Sequence, residues 1–392
     1  MSMRTHKTIR IAIILIGLAT LGSFLPNIGK SLDGSKSLLS TGSIDMSMRW
    51  LQTVNDTVAN SNGQIVHLQG FDLVSTQTRT AFDYNRLKSW GVTVVRFPMR
   101  WDWLEPEPGN YSQTYLTKID NEIALARNYR IYVILDMHQW HWSTAFTVHN
   151  PGPYYQNMGF GFPPWLCSIY PDTDEGYNQT VNDFWSGKGP NGTIPSLSNP
   201  SQQDRFIAVW KLIASRYANE PTVAAYDLFN EPPRGVLNWT QHADVLYPFY
   251  NRLMTEIRKV DTRHILNYEP SCGYATYYAK KIDQPNTSLS VNFYSLRQNY
   301  NGDSSALKAA FDDLYNPIRS WNIPFIISEV GIETSQPNFT LWANDVLTVI
   351  SDYDLSWMWF AYYKNDSPSF AVLYSNGVEK TEITSIIKPY LE

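Results

Sequence analysis

The sequence predicts a (β/α)8 TIM barrel with a long loop after the third strand. Short apolar runs alternate with amphipathic stretches eight times. Two of those runs, about a hundred residues apart, end in a glutamate, at Glu231 and Glu329. The chain has 392 residues, enough for one domain of this class, which is typically ~250 residues before insertions. Strands alternating with helices imply parallel pairing and right-handed crossovers, and eight such units close on themselves.

The elements follow in order. Residues 1–27 carry Arg4, Lys7 and Arg10 ahead of the apolar run Ile11–Leu25. A basic head and a short apolar core read as a secretion signal. The run is short for a membrane span of ~20 residues, yet no small-x-small cleavage site follows, so an uncleaved N-terminal membrane anchor fits as well. Residues 28–48, rich in Ser, Gly and Lys, read as a linker, and 49–392 as the barrel domain. Eight Asn-x-Ser/Thr triplets, at Asn55, Asn110, Asn178, Asn191, Asn238, Asn286, Asn338 and Asn365, agree with an exported glycoprotein, secreted or extracellular. Arg49–Thr57 and Gln64–Leu68 flank a turn at Asn60–Gly63, a hairpin signal.

Barrel strands are expected near Ile65–Phe71, Val92–Phe97, Ile131–Met137, Val223–Phe229, His264–Tyr268, Ser288–Phe293, Pro324–Ser328 and Leu355–Tyr362. Helices are expected near Tyr84–Trp90, Gln113–Asn128, Gln202–Tyr217, Asp244–Val260, Ala275–Lys281, Ser305–Ser320, Leu341–Ser351 and Glu382–Tyr390. Their apolar residues recur at three-to-four spacing, as in Phe206, Val209, Trp210, Ile213 and Ala214. Residues 138–200, rich in Gly, Pro, Trp and Tyr, form the long connection. Loops of that length are usually functional, and this one leaves the sheet at its catalytic end, as a wall or lid of a cleft.

Composition narrows the function. Net charge is −5 with no basic run beyond the first dozen residues, which argues against nucleic-acid binding. The 14 Trp and 25 Tyr suit a groove that stacks on sugar rings, and equally a large core. Cys167 and Cys272 make either one disulfide or two thiols, and no Cys/His spacing suggests a metal.

The stretch Thr222–Pro233 starts as a buried strand and ends in Asn230-Glu231, stopped by Pro232 and Pro233. Pro324–Ser328 repeats the pattern and ends in Glu329. Barrel enzymes collect their catalytic residues at these strand ends. Two carboxyl groups over one sugar are the equipment of a glycosidase: one protonates the leaving oxygen, the other attacks the anomeric carbon. Close carboxylates do not both ionise freely, which leaves Glu231 as acid/base and Glu329 as nucleophile, with no cofactor required. Glu269, followed by Pro270, is a rival carboxylate that lacks the preceding Asn. Blander readings exist: Glu231 as a turn residue, Glu329 as a helix cap, Arg96 as a structural ion-pair member, His138 as a core histidine and Tyr294 as packing.

Five motifs on successive strands carry a resemblance. They are Gln69-Gly70-Phe71-Asp72, Val95-Arg96-Phe97-Pro98, Leu135-Asp136-Met137-His138-Gln139, Asn230-Glu231-Pro232 and Ser328-Glu329-Val330-Gly331. Together they resemble family 5 of the glycoside hydrolases, the cellulase family of retaining barrel enzymes, over the domain from about residue 50 to the end. The resemblance implies that Asn230 binds the 2-hydroxyl of the cleaved sugar and that Arg96 orients Glu329. It implies that His138 lies at the cleaved sugar's subsite, that Tyr294 donates to Glu329, and that Trp359 is the sugar platform of the last strand, in preference to Trp357 or Phe360. One departure stands out: the family's His-x-Tyr is here Asn292-Phe293-Tyr294, which puts a hydrogen-bond relay in doubt.

By family analogy the expected activity is an endo-β-1,4-glucanase acting on a β-linked polysaccharide or oligosaccharide. The rival reading is a glycosidase that releases whole glycans from ceramide. Asp136-Met137-His138-Gln139, Pro163-Pro164-Trp165 and Asn182-Asp183-Phe184-Trp185 resemble those enzymes, which need an apolar groove. A β-mannanase or exo-β-glucosidase comes next. A carbohydrate-binding protein on an inactive barrel is the non-enzyme alternative. The low charged fraction of 17% suggests a surface suited to acid, and an activity optimum near neutral pH, measured on any cleaved glycoside, would count against that.

Overall fold

The computed structural model describes residues 48–147 and 159–391. The leader and nearly all of the linker therefore lie outside the described residues. A short antiparallel pair, β1 (Leu51–Val54) and β2 (Thr57–Asn60), precedes the barrel. Eight parallel strands then close in the order β10-β3-β4-β5-β6-β7-β8-β9. They are β3 (Gln69–Leu73), β4 (Val94–Met99), β5 (Tyr132–Met137), β6 (Val223–Asp227), β7 (Ile265–Tyr268), β8 (Thr287–Phe293), β9 (Phe325–Val330) and β10 (Ser356–Tyr362). The expected (β/α)8 barrel is the observed one.

The helices are α1 (Ala81–Ser89), α2 (Trp101–Leu104), α3 (Gln113–Asn128), α4 (Pro164–Cys167), α5 (Asp174–Trp185), α6 (Gln202–Tyr217), α7 (Trp239–Arg258), α8 (Ser304–Tyr315), α9 (Phe339–Asp352) and α10 (Thr381–Ile387). α3 and α6 fall where their periodicity placed them. α7 starts five residues before the expected Asp244, because Asn238 and Gln241 form a capping box that satisfies the first backbone donors. The expected helix at Ala275–Lys281 does not form. Cys272 and Gly273 both take positive φ, at 54° and 76°, and the chain makes only two tight 3-10 turns, Ser271–Gly273 and Thr276–Tyr278. So few residues cannot carry the cost of nucleating an α-helix.

The hairpin also turns earlier than expected. The chain reverses at Asn55-Asp56, with Asn55 in the left-handed region that Asn tolerates, and the Asn60–Gly63 stretch makes a second turn that bridges Ala59 to Ile65. This double turn brings Leu51 and Val58 into contact with the barrel's inner apolar layer.

That layer explains the site above it. Val94, Ile134, Ala225, Ile265, Ile326 and Met358 pack together inside the barrel. Side chains two residues further on share the same face. They are Arg96, Asp136, Asp227, Asn267, Ser328 and Phe360. One step of two residues thus changes the interior from hydrocarbon to a polar ring in which only Phe360 is apolar. The outer faces of the strands, including Phe71, Val95, Leu135, Tyr226 and Trp357, pack against the helices.

Among the described parts of the long loop, α5 folds against α6 and α7, α4 meets α6 where Arg205 lies over Trp165, and Trp142 stacks on Phe162 with ring centroids 3.5 Å apart. This part of the loop is a packed wall. Cys167 and Cys272 are both free thiols, so the two-thiol alternative holds.

Gly70 lets β3 lie against β4: a Cβ there would sit 1.8 Å from the carbonyl oxygen of Val94. Gly70→Ala is therefore expected to lower the melting temperature by much more than Gly63→Ala, whose added Cβ meets open space and costs only the ~1–2 kcal/mol of a side chain at φ 79°. Equal shifts in a thermal melt would refute this account of the β3–β4 approach.

Candidate active site

The polar ring is organised by one guanidinium. Arg96 on β4 donates from Nε to Asp227 Oδ2 at 2.9 Å, and from Nη1 to Asp72 Oδ1 at 3.1 Å and Glu329 Oε1 at 2.8 Å. Its Nη2 donates to Asn230 Oδ1 at 2.9 Å and Glu269 Oε1 at 3.3 Å, and lies 3.1 Å from Asp136 Oδ1. All of these side chains are buried. One positive charge thus faces five carboxyl groups. Burial pushes Asp72 and Glu269 well above the ordinary range and Asp227 up to about 7, against the pull of Arg96. Arg96 is itself held more firmly protonated. Burial alone would lower it, but Asp136, Asp227, Asp72 and Glu329 together outweigh burial.

Glu329, on β9, accepts from Arg96 and from Tyr294 Oη at 2.8 Å. Both donors favour negative charge on its oxygens. Glu231 lies four residues beyond the end of β6, not on the strand as expected, with its backbone in the left-handed region at φ 43°. Three neighbours hold that strained residue. Glu269 Oε2 accepts from its N–H at 2.8 Å, Gln139 Nε2 donates to its carbonyl at 2.9 Å, and Asn292 Nδ2 donates to Oε1 at 2.9 Å. Gly273 completes the fit, since a Cβ there would lie 2.9 Å from Glu231 Cγ. Burial, and then the charge of Glu329, raise the Glu231 carboxyl from its ordinary 4.5 to about 7. Glu231 therefore keeps its proton well past the pH at which an ordinary carboxyl loses it, the condition for a general acid.

His138, just past β5, pairs with Asp136 through Nδ1 at 2.6 Å and stacks on Phe160 with centroids 5.6 Å apart. Burial alone would lower its pKa, but Asp136 outweighs burial and the net shift is upward. Asn230 is anchored on both sides of its amide: Oδ1 accepts from Arg96, and Nδ2 donates to the carbonyl of Gln139 at 3.1 Å.

One expected residue does not belong here. Trp359 is fully buried and packs edge-on against Trp342, with centroids 6.5 Å apart. Trp357 and Trp359 do share a face, but it is the helix-facing one. Phe360, two residues beyond Met358, is the residue on the inner face. It packs on Phe370 at 5.3 Å, which in turn lies 6.0 Å from Tyr294. Gln139, Glu269, Gly273 and Ser328 all hold the site without having been assigned these roles from sequence. Glu269 had a signal in the proline that follows it, Gln139 and Ser328 lay inside the family motifs without a role of their own, and Gly273 had none. Among the described residues no His/Cys/Asp/Glu cluster suited to a metal is present.

Comparison with known proteins fits this geometry. Residues 59–366 match the family model described as Cellulase (glycosyl hydrolase family 5). An endoglycoceramidase of Hydra vulgaris is 25% identical over 251 residues, 54% of this chain and 46% of that protein. One from Cyanea nozakii is 27% identical over 224 residues, 52% of this chain and 44% of that protein. The chain thus spans about half the length of these curated relatives. In fold it is similar to endo-glycoceramidase II from Rhodococcus sp. in complex with ganglioside GM3. That likeness has a TM-score of 0.72 at 21% identity, covering 85% of this chain and 81% of that one.

The raised Glu231 carboxyl has a cost that depends on pH. The folded protein keeps a proton that the unfolded chain loses above 4.5, so the cost is absent below that pH, grows as pH rises, and is complete above about 7. Glu231→Gln is expected to melt with the parent at pH 4 and several degrees above it at pH 8, a gain on the order of 2 kcal/mol. Coincident melts at both pH values would contradict the raised value.

Proposed function

The chain belongs to glycosyl hydrolase family 5, and from that premise we propose a retaining β-glycosidase that cleaves a glycan from an apolar aglycone. Protonated Glu231 delivers its proton to the glycosidic oxygen as the C–O bond breaks, and the bonding pair leaves with that oxygen. Glu329 attacks the anomeric carbon and forms a glycosyl ester. Retaining enzymes hold the two carboxyls ~5–5.5 Å apart for this purpose. Esterification removes the charge on Glu329, which is one cause of the high proton affinity of Glu231. Glu231 then becomes the base that takes a proton from water, and the hydroxide oxygen displaces Glu329. Asn230, His138 and Tyr294 line the sugar being cleaved, and Arg96 holds Glu329.

The carrying observation is the apolar rim beside Glu231. The acid must stand on the leaving-group side, so whatever surrounds it meets the aglycone. Gly273 touches Glu231, and the next residue, Tyr274, is 53% exposed, with Tyr277 at 80% and Val236 at 65%. Tyr274 packs against Trp239, which stacks on Tyr278. These faces offer hydrocarbon to a lipid aglycone, with the Arg234 guanidinium 4.2 Å over the Trp239 ring beside them. The similar endoglycoceramidases point the same way. An exported chain, as the leader suggests, would meet such glycolipids at membranes. The second reading, an endo-β-1,4-glucanase, rests on the family description and on the ability of the same aromatic faces to stack on glucose.

A panel of glucosylceramide, a longer glycosylceramide, carboxymethyl-cellulose, mannan and xylan separates the two. Cleavage of the lipids with release of intact glycan is expected, and turnover of carboxymethyl-cellulose alone would favour the glucanase. Glu329→Gln is expected to lose at least ~10³-fold in kcat, and unchanged turnover would leave only a binding protein. Replacing Val236, Tyr274 and Tyr277 together by Ser should lower kcat/KM for the lipid by about tenfold or more, since each buried apolar side chain contributes ~1.5–3 kcal/mol. A soluble aryl β-glycoside should change by less than about threefold under the same replacement. Activity should fall as pH rises through about 7, as Glu231 loses its proton, and a profile flat to pH 9 would contradict its role as the acid.

A further inference from the structure

The Asn292 amide lies between the two glutamate-bearing segments. Its Nδ2 donates to Glu231 Oε1 at 2.9 Å and reaches Asn230 Oδ1 at 3.4 Å. Its Oδ1 accepts from Ser328 Oγ at 2.9 Å. Ser328 immediately precedes Glu329 on β9, and its hydroxyl also lies 3.1 Å from the carbonyl of Val291 and 3.4 Å from Glu269 Oε1. Three acceptors surround that hydroxyl and Asn292 Oδ1 is the nearest, so the hydroxyl proton is directed at Oδ1. With Oδ1 occupied by a donor, the amide must present its NH2 to Glu231.

A donor on Oε1 has a chemical consequence. An oxygen that is accepting a hydrogen bond is a poor place for a proton, so the acidic proton of Glu231 is left to Oε2. Resting on the reading of Glu231 as the acid, we propose that Asn292 is a positioning residue that reserves Oε1, places the transferable proton on Oε2, and is locked in that orientation by Ser328. The amide neither gains nor loses a proton, so it remains a donor at every working pH. The charged or titratable groups facing Glu231 are Glu329, Glu269, Arg96, His138, Tyr294, Tyr274 and Cys272. None of them occupies Oε1. A donor to the ionised carboxylate also favours ionisation, and the Asn292 bond does lower the proton affinity that burial and Glu329 raise.

The test varies the leaving group. An alkyl or lipid β-glycoside needs the proton, whereas a 2,4-dinitrophenyl β-glycoside leaves almost without it. Asn292→Ala is expected to lower kcat on the alkyl glycoside by about a hundredfold. The expected loss on the dinitrophenyl glycoside is less than about fivefold, with KM little changed, and the alkaline limb of the alkyl-glycoside profile moves to higher pH. Asn292→Asp keeps the shape and removes the donor, so it carries the test if the alanine variant fails to fold. It should show the same leaving-group dependence and a larger upward move of that limb. Ser328→Ala should show the same signature about tenfold more weakly. Equal losses on both substrates, with the alkaline limb unmoved, would reduce Asn292 to packing and overturn the proposal. Glu231→Ala is the reference: leaving-group dependence there but not in the Asn292 variants removes the proposal alone, while its absence in Glu231→Ala removes the assignment of the acid as well.

Discussion

The site depends on a single buried guanidinium. Arg96, on β4, reaches carboxyl groups that five other strands or their ends supply: Asp72 from β3, Asp136 from β5, Asp227 from β6, Glu269 after β7 and Glu329 from β9. Removing a partner from a buried ion cluster typically costs 3–5 kcal/mol, because the remaining charges stay desolvated. Here the cluster is over-supplied with acid. Burial raises the Asp72, Glu269 and Asp227 carboxyls against the pull of Arg96. The same surplus keeps the whole floor of the cavity sensitive to any change in charge.

Around that centre the two glutamates are held in different ways. Glu329 sits on a regular strand and receives two donors. Glu231 sits on a left-handed turn and is tied through its N–H, its carbonyl and one carboxylate oxygen to three separate residues. A rigid strand suits a nucleophile that must be aimed at one carbon. A tethered turn suits an acid that must reach over the leaving oxygen, give up its proton and retrieve another. The strain at φ 43° is sustained because every polar group of that residue's backbone has a buried partner.

Much of this was legible in the chain. Strands such as Tyr132–Met137 and helices such as Gln113–Asn128 declared themselves, because buried parallel strands are continuous apolar runs and helices show a three-to-four period. Arg96, Glu231 and Glu329 were legible because charged residues interrupt apolar strands at their ends. Trp359 was misplaced because alternation tells which residues share a face but not which face is inside. The register against Phe71 on β3 decides that, and it is a tertiary fact. Gln139 stood inside a family motif but its role was hidden, and Gly273 left no signal, since both act on the backbone or bulk of a residue far away in sequence. Asn292 was visible only as a departure from the expected imidazole. In the folded protein the amide donates to Glu231, with Ser328 behind it.

The connection from β7 to β8 runs 18 residues without an α-helix, the only such crossover in the barrel among the described residues. Elsewhere an outer helix ties the spacing of two strands to the loop above them, so changing that loop disturbs the packing below. Here the loop is pinned by buried Gly273, Thr276 and Ile282, and Tyr274 and Tyr277 stand out from it as exposed side chains. Exchanges at those two side chains can remodel what the mouth accepts while the reactive pair stays in register. In evolutionary terms, this is the part of the protein where a change of diet is cheapest.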